Sequence, residues 1–144
     1  MLSTITIIPR ASIQLVTEIM EDGHMHSLGE QRDFRRNPVL AEFLSEQARL
    51  AIAWVRLGPG QVLEPHAHPI RSMILVCGGR GVLLDKDWTE KPLSLGDAVL
   101  VPSNYAHGFK GLDPDGVEGL SIQFDDRGLY EDTSRPRVAF VKHD

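Results

Sequence analysis

"GQVLEPHAHPIRSMILVCGGRG" spans residues 60–81 and sets His66 and His68 one residue apart. In a β-strand, residues i and i+2 point to one face, so the two imidazoles project side by side, about 7 Å apart along the backbone. Imidazole is the commonest metal ligand near neutral pH, and such a pair can converge on one ion. The competing reading is two polar residues on the wet face of a strand. The flanks bear on the choice. "GPG" (58–60) is a turn before the pair, and "IRSMILVC" (70–77) is a buried strand that ends in the glycine-rich turn "GGRG".

Outward from this stretch the same texture continues. "LAIAWVRL" (50–57), "QVLEPHAH" (61–68), "VLLDKDW" (82–88), "DAVLVP" (97–102), "AHGFKG" (106–111), "GVEGLSIQF" (116–124) and "RVAFV" (137–141) are short strands punctuated by Gly, Pro, Asn and Asp. Turn signals about every ten residues predict an antiparallel sandwich or small barrel, and helices do not alternate with the strands as a parallel α/β fold requires. Upstream, "STITII" (3–8) and "SIQLVTEIM" (12–20) read as strands, and the polar residues 21–36 read as loop. "NPVLAEFLSEQAR" (37–49) reads as the one helix, with Asn37 as its cap and Pro38 in its first turn.

The chain has 144 residues, which suggests one domain over 1–144, with N-terminal strands and helix in 1–49, a motif-bearing barrel at about 50–124 and a C-terminal strand at about 136–141. A net charge of −5 gives no basic footprint for nucleic acid. No apolar run approaches the ~20 residues of a membrane span, and "MLSTITIIPR" lacks the features of a signal peptide. Cys77 is the single cysteine, which fits a reducing, cytoplasmic compartment, and its place in a buried strand reads as an inert core thiol.

A third histidine follows the pair in "GDAVLVPSNYAHGFKG" (96–111). Here the chain resembles the cupin superfamily. The first cupin motif has Gly, five residues, His-x-His, three or four residues, Glu, six residues, Gly; this chain has Gly60, His66, His68, Ser72 and Gly79 at those spacings. The second has Gly, five residues, Pro-x-Gly, two residues, His, three residues, Asn; this chain has Gly96, Pro102, Asn104, His107 and Gly111. Three departures stand out: Ser72 for the glutamate, Asn104 for a glycine and Gly111 for the asparagine. Asn tolerates the left-handed conformation, so the second is mild. A neutral hydroxyl at Ser72 is a poor ligand.

The resemblance implies a double-stranded β-helix and one divalent metal ion on His66, His68 and His107, with its remaining positions open. It is similar to the three-histidine cupins, thiol and diketone dioxygenases among them, which implies iron(II), with zinc, nickel or manganese as the other candidates. The expected function is a metal-dependent enzyme on a small anionic substrate, an iron(II) dioxygenase foremost. The alternatives are a metal-dependent isomerase, cyclase or lyase, and a non-catalytic module that binds a small ligand.

Around this site the residues leave choices open. Glu64 shares the parity of His66 and His68, and is a candidate catalytic group, a fourth ligand, an acceptor that orients a histidine, or a solvated rim charge. Arg56 and Gln123 either hold a substrate carboxylate or face outward. Ser72 faces in by parity, and Arg71 faces out. Tyr105, Trp54 and Phe109 are candidate pocket walls. His24 and His26 repeat the His-x-His spacing without a strand to frame them, so a surface pair or a lid are both open. His143 and the turn "YEDTSRP" (130–136) read as solvated. The apolar strands "STITII" and "RVAFV" lie beyond the barrel, and covering their edges with a second copy predicts a homodimer.

Overall fold

The computed structural model describes residues 4–47, 49–125 and 127–141. Its strands are β1 (Val16–Glu21), β2 (His24–Asp33), β3 (Ala51–Leu57), β4 (Val62–Ala67), β5 (Ser72–Gly79), β6 (Gly81–Leu84), β7 (Glu90–Leu93), β8 (Ala98–Val101), β9 (His107–Gly111), β10 (Val117–Gln123) and β11 (Ala139–Phe140). The helix α1 covers Pro38–Gln47. Asn37 Oδ1 caps it by accepting from the amides of Val39 and Leu40, both at 3.1 Å.

The strands form a six-stranded sheet in the order β1-β2-β3-β10-β5-β8 and a five-stranded sheet in the order β11-β4-β9-β6-β7. Every pairing is antiparallel. The inward faces enclose a core of Val16, Ile19, Leu28, Leu57, Leu63, Val76, Phe109, Val117 and their neighbours. This is the antiparallel β-barrel with one helix that the turn spacing predicts.

Four local expectations need correction. Residues 4–8 of "STITII" form no strand, and Ile5 and Ile7 are almost fully exposed; Ser3 lies outside the described residues. Residues 21–36 are not a loop: ten of them form β2, followed by a 3-10 turn at Phe34–Arg36. The signal was present in Asp22-Gly23, both at positive φ, which joins β1 to β2 with Glu21 opposite His24. Asp-Gly between strands is a strong hairpin signal. It was masked because β2 turns polar residues inward, so the apolar alternation is missing. Finally, β7 was unanticipated, and "RVAFV" contributes only Ala139 and Phe140 to a strand, paired within the chain to β4.

A β-bulge shapes the site. On β4 and β9, Leu63 faces Phe109 and His66 faces His107, so β4 carries one extra residue between them. Pro65 sits there, where a missing N–H donor costs no ladder bond. The bulge breaks the simple parity between Glu64 and His66. A second irregularity lies opposite Glu118 and Gly119, which pair with Gly78 and Val76 and leave Cys77 unpaired. Cys77 is an exposed thiol, not a core one. Odd parity put it on the outer face of its sheet, and that face is solvated.

Candidate metal centre and its cavity

His66 and His68 come from the end of β4 and the residues after it, and His107 opens β9 beside them. All three are buried, and one ligand atom from each lies within 4.8 Å of the others. Each ring is held in the same way. Nδ1 of His66 donates to the carbonyl of Glu64 (2.8 Å), Nδ1 of His68 to that of Ile70 (2.5 Å) and Nδ1 of His107 to that of Tyr105 (2.9 Å). A carbonyl can only accept, so the proton sits on Nδ1 and the Nε2 lone pairs remain for a metal.

Electrostatics favour the same state. Burial, reinforced by the neighbouring His107, pushes the His66 pKa down to about 3. Burial pushes His107 down to about 4, and lowers His68 as well. The imidazoles are therefore neutral, as ligation requires. The donor set fits a divalent ion with open positions.

The loop from β8 to β9 supports this arrangement. Asn104 adopts a left-handed conformation (φ 65°) and its amide donates to the carbonyl of His68 at 2.7 Å. Gly111 has a packing reason for replacing the motif asparagine, since a β-carbon there would collide with the carbonyls of Leu57 and Gly58.

The histidines line a cavity of about 50 Å³ between the two sheets. Ser72 and Gln123 line it too, both buried, and Phe109 forms part of its wall. The other sequence candidates lie elsewhere. Arg56 faces outward, 41% exposed, ion-paired to Glu30 at 3.3 Å and Glu118 at 3.7 Å. Trp54 is on the same outer face under the Arg10 guanidinium. Tyr105 is 66% exposed and serves through its carbonyl. Arg71 is exposed, as parity predicts. His143 lies outside the described residues.

Glu64 is not among the residues lining the cavity. The bulge turns its side chain away, and its carboxylate meets Nδ1 of His26 at 2.7 Å. Its backbone carbonyl, not its carboxylate, orients His66. His26 is on β2 and stacks on Phe140, with ring centroids 3.8 Å apart and planes 2° from parallel. Phe140 in turn lies 5.3 Å from the His66 ring. His24 is exposed.

Four buried polar residues of the cavity escaped the sequence reading: Gln31, Asp33, Ser121 and Tyr130. Gln31 and Asp33 lie on β2, where the polar sequence predicts a loop, and Tyr130 lies in the turn whose composition predicts exposure. All four are buried. Burial raises the Asp33 carboxyl to about 6, despite the Arg35 amide that donates to Oδ1 at 2.9 Å. The alternation of Gln31 and Asp33 with charged Glu30 and Arg32 was the available signal.

The family model for the cupin domain matches residues 53–122. That stretch of the chain is a cupin domain. Solved cupin-fold structures align over much of the chain's length. The polyketide cyclase RemF from Streptomyces resistomycificus is 18% identical, with 98% of this chain and 88% of that one covered and a TM-score of 0.69. A cupin 2 conserved barrel protein from Salinispora arenicola is 17% identical over 85% of this chain and 91% of that one, TM-score 0.64. A cupin-like protein from Thermotoga maritima is 19% identical over 78% and 76%, TM-score 0.54. At these identities the likeness is one of fold. No curated protein matches the chain. Among the described residues, no helix of this cupin is long and apolar enough to cross a membrane.

Proposed function

We infer that this cupin is a metal-dependent enzyme acting on a small anionic molecule inside the barrel. The observation that carries the reading is the convergence of three neutral imidazoles, each pinned through Nδ1, on a cavity that also presents hydroxyl, amide and carboxyl groups. A divalent ion on His66, His68 and His107 would supply Lewis acidity or, as iron(II), a centre for oxygen chemistry. The chain itself would bind and orient the substrate through Ser72 and Gln123. Leu63, Val76, Leu93 and Phe109 would keep bulk water from it.

Iron(II) dioxygenase chemistry is supported by the all-neutral donor set and the apolar wall, and it requires no strong base from the protein. A second reading, isomerase, cyclase or lyase chemistry, is favoured by one specific observation. Glu64 is turned away, but Asp33 places a buried carboxyl in the same cavity. The fold likeness to a polyketide cyclase adds no residue-level support to it.

Oxygen uptake by iron-loaded protein across thiols, diketones and aromatic acids, set against anaerobic turnover with zinc or nickel, separates the readings. Strict dependence on iron and oxygen supports the dioxygenase. Anaerobic turnover supports proton-transfer chemistry. Ligand binding with no turnover under either condition would leave a non-catalytic module.

A further inference from the structure

The cavity has two unlike walls. The histidines belong to the five-stranded sheet, on or next to β4 and β9. The polar groups opposite belong mainly to the six-stranded sheet, where the registers place them in rows. Asp33 pairs with Ala53, Ala53 with Ser121, and Ser121 with Ile74. The row beside it runs from Ala51 through Gln123 to Ser72. Ala53 and Ser121 are small, so the row ending in Asp33 is open to the interior.

Asp33 is the last residue of β2 and is 2% exposed. Oδ1 accepts from the Arg35 amide, and Oδ2 lies against Gly128, where a β-carbon would collide with it. Tyr130 follows two residues later, 5% exposed, and its hydroxyl has no hydrogen-bond partner among the described residues. A buried hydroxyl without a protein partner, on the wall of a cavity, is suited to a ligand oxygen.

We propose that Asp33 is the proton-transfer residue of this cavity and Tyr130 a hydroxyl donor beside it. Their substrate is a small molecule with a carbonyl group and a hydrogen on the adjacent carbon. This rests on the reading of the cavity as a metal-dependent active site. The Asp33 carboxylate takes the proton from that carbon. The C–H electron pair becomes a carbon–carbon double bond, and the carbonyl π pair moves onto oxygen, at the histidine wall. The pair on oxygen then re-forms the carbonyl while the carbon–carbon π pair takes the proton back from protonated Asp33 at the same carbon, so exchange or inversion at that carbon needs no oxidant or further reactant.

The groups around Asp33 set its poise. Burial and the Glu131 carboxylate raise its pKa, while the Arg35 amide and the Arg35 and Arg36 guanidinium groups lower it. The outcome, about 6, leaves the base form dominant yet weakly held near neutrality.

The test uses zinc-loaded wild type, Asp33→Asn and Tyr130→Phe with pyruvate as the probe, under nitrogen in heavy water. Deuterium entry into the pyruvate methyl group is followed by proton NMR. Wild type should promote exchange, Asp33→Asn should lose about 100-fold or more, and Tyr130→Phe about tenfold. Carbon-13 NMR of the aspartate carboxyls of wild type gives a second readout that needs no variant to fold. The Asp33 resonance should shift when pyruvate is added to the zinc-loaded protein. Exchange by Asp33→Asn at the wild-type rate, no exchange by wild type, or an Asp33 resonance indifferent to pyruvate would each overturn the proposal. Zinc analysis keeps the two readings apart. Zinc in all three proteins with exchange independent of Asp33 defeats this proposal alone, whereas no zinc in any defeats the metal site.

Discussion

His66 and His107 face each other across the β4–β9 ladder, and their ring centroids lie 4.5 Å apart. The extra residue in β4 creates that relationship, because it rotates the strand by one position between Leu63 and His66. The same bulge turns Glu64 away from the cavity. One local irregularity therefore decides which side chains converge at the candidate metal site and which do not.

Metal retention should persist well below the ordinary histidine pKa. The unfolded imidazoles titrate near 6.5, but in the folded protein His66 and His107 are held down to about 3 and 4. Proton competition for the ligands begins only as pH falls toward 4. The metal-free protein should lose stability over the window from 6.5 down to about 4, since there the unfolded chain binds more protons. Metal content after dialysis at stepped pH, and urea midpoints of metal-free protein, check both. Release of half the metal near pH 6.5 would contradict this.

Asp33 carries the opposite sign. Its folded pKa is raised from 3.8 to about 6, so stability is lost as pH rises through that window. The shift corresponds to a cost of about 3 kcal/mol at neutral pH. Asp33→Asn keeps the Oδ1 acceptor for the Arg35 amide and removes the buried charge. It should raise the urea midpoint at pH 8 and give no gain at pH 3. A destabilised variant at pH 8 would show that the carboxylate is a structural group.

Ser72→Glu should restore the carboxylate of the cupin motif. Ser72 is 5% exposed and lines the cavity with the histidines. An anionic ligand there should tighten metal binding about tenfold and fill an open position, with turnover falling as a result. Competition against a fluorescent chelator measures the affinity. Unchanged affinity and unchanged turnover would remove Ser72 from the coordination sphere.

The dimer expectation keeps Ile5 and Ile7 of "STITII" and no longer rests on "RVAFV". β11 is already paired to β4 within the chain, but Ile5 and Ile7 are exposed, as are Leu100 and Phe124 near the β8 edge. Covering them with a second copy would give about twice the 16.0 kDa chain mass by light scattering. The mass of one chain at micromolar concentration would refute it.

The sequence made the barrel legible wherever one strand face was apolar. β3, β5 and β10 are apolar runs bounded by turn residues, and the histidine triad followed from two motifs with fixed spacing. Legibility failed where the interior is polar. Gln31 and Asp33 face inward on β2, so a ten-residue strand read as loop, and a cavity carboxyl went with it. Parity failed at the bulge, which moved Glu64 out, and Arg56 could not be assigned a face until its neighbours in the sheet were known. Tyr130 depends on a turn folding back onto the barrel, which no local pattern encodes.

The proposed site is one divalent ion held by His66, His68 and His107. Purified wild type and His66→Ala/His68→Ala should be compared by elemental analysis, with circular dichroism confirming that both are folded. About one metal ion per chain in wild type and almost none in the variant is the predicted result. Equal metal content in two folded proteins would contradict it.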